Sequence, residues 1–251
     1  MKRLVGSIFF FLMVTSAFTQ KKFIPQFGVG FHAGKNYTNM DFDPNIRPQS
    51  VDLNNFGVIF NVENKKGLGA QIEFNYSERG WIDTTEYAAE QDKNLRYLGL
   101  PALGLDTSEY SIVYKRNMEY LEIPILTHFN LRVSIVRVSL NFGAYIAFHR
   151  NFFDGYYLSY GDSLTTRYVW SPTYEYHERY GTPTKNVDMG YIMGGSIGIE
   201  TAAGEVQLRA RATQGIKNQF ERYPDGQFKF SRMKSFYVGA SYIYHFNLRS
   251  R

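Results

Sequence analysis

Cysteine is absent from the 251 residues, which removes disulfide staples and thiolate metal sites and suits a chain that crosses an oxidising compartment without them. Clustered charge is missing too. The formal net charge is +5, but Lys2 and Arg3 sit at the extreme N-terminus and the other basic residues are scattered among acidic ones, so there is no electrostatic footprint for nucleic acid. No Pro- or Ser-rich linker and no break in composition divides the chain after the N-terminus, which argues for one domain. Apolar stripes of helical period are scarce. Beyond the N-terminus no apolar run approaches the roughly 20 residues of a spanning helix. If the mature chain enters a membrane, it must do so with strands. A content of 44% hydrophobic and 20% charged residues excludes a disordered chain and leaves enough apolar surface for a folded one.

The N-terminus carries the order charged, apolar, small: Lys2-Arg3, the apolar run 4–14 (LVGSIFFFLMV), then Thr15, Ser16, Ala17, Thr19 and Gln20. This is the grammar of a secretory signal peptide, and the run is nearer a signal core than a membrane anchor. The reading is a leader over 1–19 and a barrel domain over 20–251. Cleavage after Ala17 and after Thr19 both remain open.

From Phe27 onward the apolar period is two, the signature of strands. Over 136–148 one face reads Val136, Val138, Leu140, Phe142, Ala144, Ile146, Phe148, while Arg137, Ser139, Asn141, Gly143, Tyr145 and Ala147 form the other. The same alternation recurs at 68–77 and 206–213, and more weakly at 27–36, 54–63, 120–129, 189–200 and 236–246. About eight strands result, each near the length a tilted strand needs to cross a bilayer. Short turns at 64–67, 130–132 and 202–204 alternate with long connections at about 38–53, 81–117, 150–187 and 219–234. That parity predicts an all-β, antiparallel, up-and-down transmembrane β-barrel with periplasmic termini and every long loop on the outer side. A soluble lipocalin-like barrel is the rival, and it would invert the faces, apolar inside and polar outside. Neither option would need a cofactor.

The inward parity collects Glu73, Glu122, Arg137, Arg209 and Arg211 at similar distances from the short-turn rim. Charges of both signs in so narrow an interior should pair. Eight strands leave a lumen about wide enough for side chains, so a salt-bridged plug is favoured over a gate or small solute channel. His32, His128, His149, His177 and His245 match no metal spacing. A hydrolase assembled from His149, His177, Asp154, Asp162 and Ser163 is a minor alternative to a non-enzymatic barrel. Gly194-Gly195-Ser196-Ile197-Gly198 lacks the helix that a phosphate loop needs and reads as small packing in a strand. The third long connection holds Tyr156, Tyr157, Tyr160, Tyr168, Trp170, Tyr174, Tyr176 and Tyr180. Such aromatics serve either as contacts for an envelope protein or glycan, or as an interfacial girdle and the loop's own core.

Tyr120-Leu121-Glu122-Ile123-Pro124-Ile125-Leu126, followed by Thr127-His128-Phe129-Asn130, resembles the YLEIP segment of the PorT-like outer-membrane β-barrel family of the Bacteroidetes group. A glycine-rich first strand (27–34) and a closing strand over 236–246 are similar to that family as well. The resemblance implies an outer-membrane barrel, contact with outer-membrane lipid, insertion by the barrel-assembly machinery and a place near secretion, but it transfers no catalytic residues. The tail departs from the pattern, because 247–251 follow the terminal aromatic. Pro124 removes a ladder donor and should sit at a bulge or face no partner, bending the strand so that Glu122 points inward.

Overall fold

A computed structural model describes residues 25–43, 48–64, 66–86, 110–160, 169–171, 186–220 and 230–246, with 43, 83–86, 110–114, 152–160 and 169–171 described as backbone. The leader reading over 1–19 lies outside the described residues. Nine strands are present among the described residues: β1 Gln26–Asp43, β2 Val51–Glu63, β3 Leu68–Glu86, β4 Tyr110–Val133, β5 Val136–Tyr160, β6 Val169–Ser171, β7 Val187–Thr201, β8 Gly204–Gly215 and β9 Phe230–Phe246. All but β6 pair antiparallel in sequence order, and β9 returns to β1, so eight strands close a barrel. The short β6 lies against the outer part of β5 through Asp154, Gly155 and Tyr156. No helix occurs among the described residues.

The period-two pattern becomes two opposite surfaces. Residues facing out are apolar and bare: Leu208 is 67% and Met193 66% exposed. Residues facing in are polar and covered: Glu73 is 0% and Arg209 3% exposed. This is the inverse of a lipocalin, so the soluble alternative is rejected. It is the arrangement that a hydrocarbon solvent selects, with closure satisfying every edge.

Three tight turns define the short rim. Asn64 Oδ1 accepts from the N–H of Lys66 (2.9 Å) and Leu68 (3.1 Å), and Gly67 takes a φ of 82°. The second turn is at Ser134-Ile135, not at 130–132, because β4 runs on to Val133 and pairs there with Val136. Ser134 accepts a φ of 57°, as the first central position of a two-residue hairpin requires when it is of the primed type. Gln26 pairs with Glu63 and Phe27 with Phe246 beside this rim, so both ends of the described barrel lie on it.

At the other rim the strands are longer than the apolar alternation indicates. β1 continues to Asp43, β3 to Glu86 and β5 to Tyr160, and the first outer connection shrinks from 38–53 to 44–50. Outward residues there, such as Asp52 and Glu78, are polar. Alternation therefore fades where the wall leaves hydrocarbon, although the hydrogen-bond ladder continues. A bulge adds to the difference, since Glu119 pairs with Asn151 and Tyr120 with His149, leaving Arg150 extra. Pro124 is not at that bulge. Its cost shows instead as a break in the β3–β4 ladder between Ile72↔Ile125 and Asn75↔Glu122, with the register unchanged across it.

Candidate functional site

The lumen is filled in layers. At the short rim, Arg137 pairs with Glu63 and, at 3.2 Å, with Glu205. Asn130 donates to Glu63, Gln207 donates to Glu205 (2.7 Å), and His245 Nε2 lies 2.8 Å from Glu205. These residues stand at strand ends beside the turns, where a tilted wall brings β2, β5, β8 and β9 together.

Glu73 forms the middle layer alone among carboxylates. It receives Arg209 at 2.7 Å and Arg211 through Nη1 at 2.6 Å and through Nη2, with Gln71 and Asn75 donating from its own strand. His32 bridges Asn75 Oδ1 (2.8 Å) and the Tyr237 hydroxyl (3.1 Å). Glycines make this possible. A Cβ at Gly194 would lie 2.7 Å from Arg211 Cγ, and one at Gly198 would lie 2.8 Å from Gln207 Cγ. The small run on β7 thus leaves room for the long side chains of β8.

Above it, Arg79 pairs with Glu122 and, at 3.1 Å, with Asp188, which also accepts from the Tyr145 hydroxyl at 2.8 Å. The Arg79 guanidinium lies 4.6 Å from the Tyr145 ring centre and 5.5 Å from that of Tyr120, which shields its faces. The outer mouth is then closed by an apolar cap of Met40, Phe42, Trp81, Met118, Phe220 and Met233. Phe220 arrives from the segment after β8, clipped by its N–H to Ser231 Oγ (2.8 Å) and by that hydroxyl to its own carbonyl (2.8 Å). Its ring stands 5.8 Å from Trp81, and Arg116 lies over both rings at 5.5–5.6 Å.

Among the described residues the fully buried charges balance. Glu63, Glu73, Glu122, Asp188 and Glu205 stand against Arg79, Arg116, Arg137, Arg209 and Arg211. Among the described residues, two small voids lie between the layers, each with room for about one water. An interior so matched is a seal.

All five residues singled out from sequence line the lumen, but they do not form one cluster at one height. Glu73, Arg209 and Arg211 meet; Arg137 joins Glu63 and Glu205 at the rim; Glu122 joins Arg79 near the outer end. Strand tilt separates residues whose distances from the turns look alike on paper. Arg79, Asp188, Glu63 and Glu205 are the missed partners, and their inward parity was the available signal. Of the aromatic group, Tyr156, Tyr157 and Tyr160 belong to the extension of β5 and Trp170 to β6, so part of that stretch is strand and not loop. Tyr168, Tyr174, Tyr176 and Tyr180 lie outside the described residues, as do His177, Asp162 and Ser163. No group of three or more His, Asp or Glu side chains suited to a metal ion occurs among the described residues.

No curated protein matches the chain significantly. Solved structures similar to it include OprG of Pseudomonas aeruginosa, 8% identical over 90% of this chain and 98% of that one with a TM-score of 0.43. Ail of Yersinia pestis is 7% identical over 88% and 99%, with a TM-score of 0.38. Neisserial surface protein A is 8% identical over 86% and 96%, also with a TM-score of 0.38. The model of one family, described as an outer membrane protein beta-barrel domain, matches residues 18–221. Together with a closed barrel whose outer face is apolar and whose lumen is charged, that match establishes that the chain belongs to the outer membrane protein beta-barrel domain family and is a bacterial outer-membrane protein.

Proposed function

We propose that this protein is a non-enzymatic envelope component whose outward end engages a protein or glycan partner, in a secretion or adhesion assembly of the PorT-like kind. The observation that carries the reading is the filled lumen. Among the described residues, layers of paired charge under an aromatic cap fill the lumen, so recognition falls to the outer end, where loops on a rigid wall ordinarily bind. Extension of β3, β4 and β5 beyond the rest of the wall supports this, because it raises the tyrosine-rich segment on a hydrogen-bonded platform. The termini are periplasmic in this reading, since both ends of the barrel share the short-turn rim, and residues 1–19 are a leader removed on export.

The test is crosslinking and co-purification from native membranes with the third connection intact and then shortened. His149 N donates to Asn186 O at 2.9 Å, so Asn151 and Asn186 leave adjacent strands close together. Residues 152–185 can therefore be replaced by a turn of about four residues. Partners should be captured by the full chain and lost from the shortened one, while heat-modifiable migration shows that the barrel still folds. A folded, shortened barrel that keeps every specific partner overturns the assignment.

A further inference from the structure

The void between the rim layer and the Glu73 layer has an unusual wall. It is bounded by Asn61, His128, Arg137, Asn141, Ser196 and Arg209, among others. Arg209 is 3% exposed and gives Nη2 to Glu73, while its Nε and Nη1 have no hydrogen-bond partner among the described residues. Arg137 Nε is in the same condition. On the accepting side, Asn61 Oδ1 and Asn141 Oδ1 also lack donors among the described residues, while His128 turns its Nε2 to Glu63 at 3.5 Å and leaves its Nδ1 without a hydrogen bond. A buried polar group left in that state forfeits its hydration without replacement, so a partner of suitable chemistry would be held firmly.

The deficits decide the chemistry. An anion would satisfy the guanidinium N–H groups but would be repelled by the two amide oxygens. The formal charge around the void also cancels already, with Arg137, Arg209 and Arg211 against Glu63, Glu73 and Glu205. A cation would meet the guanidiniums. The occupant must both donate and accept, and the space admits about one water-sized body. We propose that this void is a binding site for one slowly exchanging water molecule, which accepts from Arg209 and donates to the side-chain oxygens of Asn61 and Asn141. The water ties the two ion-pair layers together and completes the seal without opening a path through it.

The test is water-selective nuclear Overhauser spectroscopy on ¹⁵N-labelled protein in micelles, with Arg209→Lys identifying the Arg209 Hε resonance by its loss. A direct cross-peak from water to Arg209 Hε is expected, of the sign given by a bound molecule and not by proton exchange. It should vanish in the Asn61→Leu/Asn141→Leu double variant, which removes both acceptors and fills the space. If that variant does not fold, the wild-type spectrum decides alone. An Arg209 Hε protected from exchange and without a water cross-peak overturns the proposal. So does a saturable shift of that resonance with bromide that gluconate fails to produce, since that marks an anion site.

Discussion

Glu73 is the side chain on which most of the lumen depends. Two guanidiniums and two side-chain amides converge on its oxygens, and among the described residues no other carboxylate pairs with Arg209 or Arg211. Removing one member of a buried ion pair leaves the other desolvated and uncompensated, at about 3–5 kcal/mol. Glu73→Ala should therefore lower the unfolding free energy of the barrel, read by urea titration in lipid vesicles, by an amount in that range, and Glu73→Gln by less, because the amide oxygen still accepts. An unchanged midpoint for Glu73→Ala would mean that water already solvates these arginines. At this scale the sequence was partly legible. Inward parity picks out Glu73, Arg209 and Arg211 without ambiguity, since each lies in the middle of a cleanly alternating strand. Arg79 and Asp188 were harder to see because the alternation around them has already faded, and Glu63 and Glu205 because they stand beside turns. Parity tells which side a residue faces; it does not give height along a tilted wall.

At the scale of the strand, Pro124 and Arg150 show two ways of breaking a ladder. Arg150 adds a residue and shifts the register between β4 and β5, so the apolar pattern of β5 cannot be extended past Phe148 from sequence. Pro124 adds nothing and shifts nothing; it only lacks a donor, and the interruption falls opposite Glu73. Pro124→Ala should supply that donor. The new amide at position 124 is expected to exchange slowly, like those of its neighbours, with the rest of the amide spectrum little changed. Rapid exchange there would show that the gap has a cause other than the missing N–H. The expectation from sequence was that Pro124 sits at a bulge or where its missing donor faces no partner, with a local bend that aims Glu122 inward, and it was half correct. The proline does mark a weak place in the wall, but Glu122 points inward through ordinary alternation. The turn at Ser134-Ile135 was misplaced for a related reason, since no Gly or Asn stands there to announce it.

For the molecule as a whole, strand number, antiparallel order and the short and long rims were legible because each follows from a period or a spacing. The fill of the lumen was legible only as a principle, since it depends on which strands lie across from one another. That fill sets what the barrel can conduct. Among the described residues, ions crossing it would have to pass the Phe42, Trp81 and Phe220 cap and then three layers of paired charge, between which lie two voids of about one water each. Single-channel recording in planar bilayers should therefore show small or no steady currents for the wild-type protein. Arg137→Ala, Arg209→Ala and Arg211→Ala give a sharper comparison. If the charges form a seal, each variant loses thermal stability while its conductance stays near the wild-type level, because the remaining layers still block the lumen. If the charges line a working pathway, conductance or ion selectivity changes first and the unfolding midpoint hardly moves. Large, stable wild-type currents, or selectivity changes without loss of stability, would remove the sealed-scaffold reading and restore the channel.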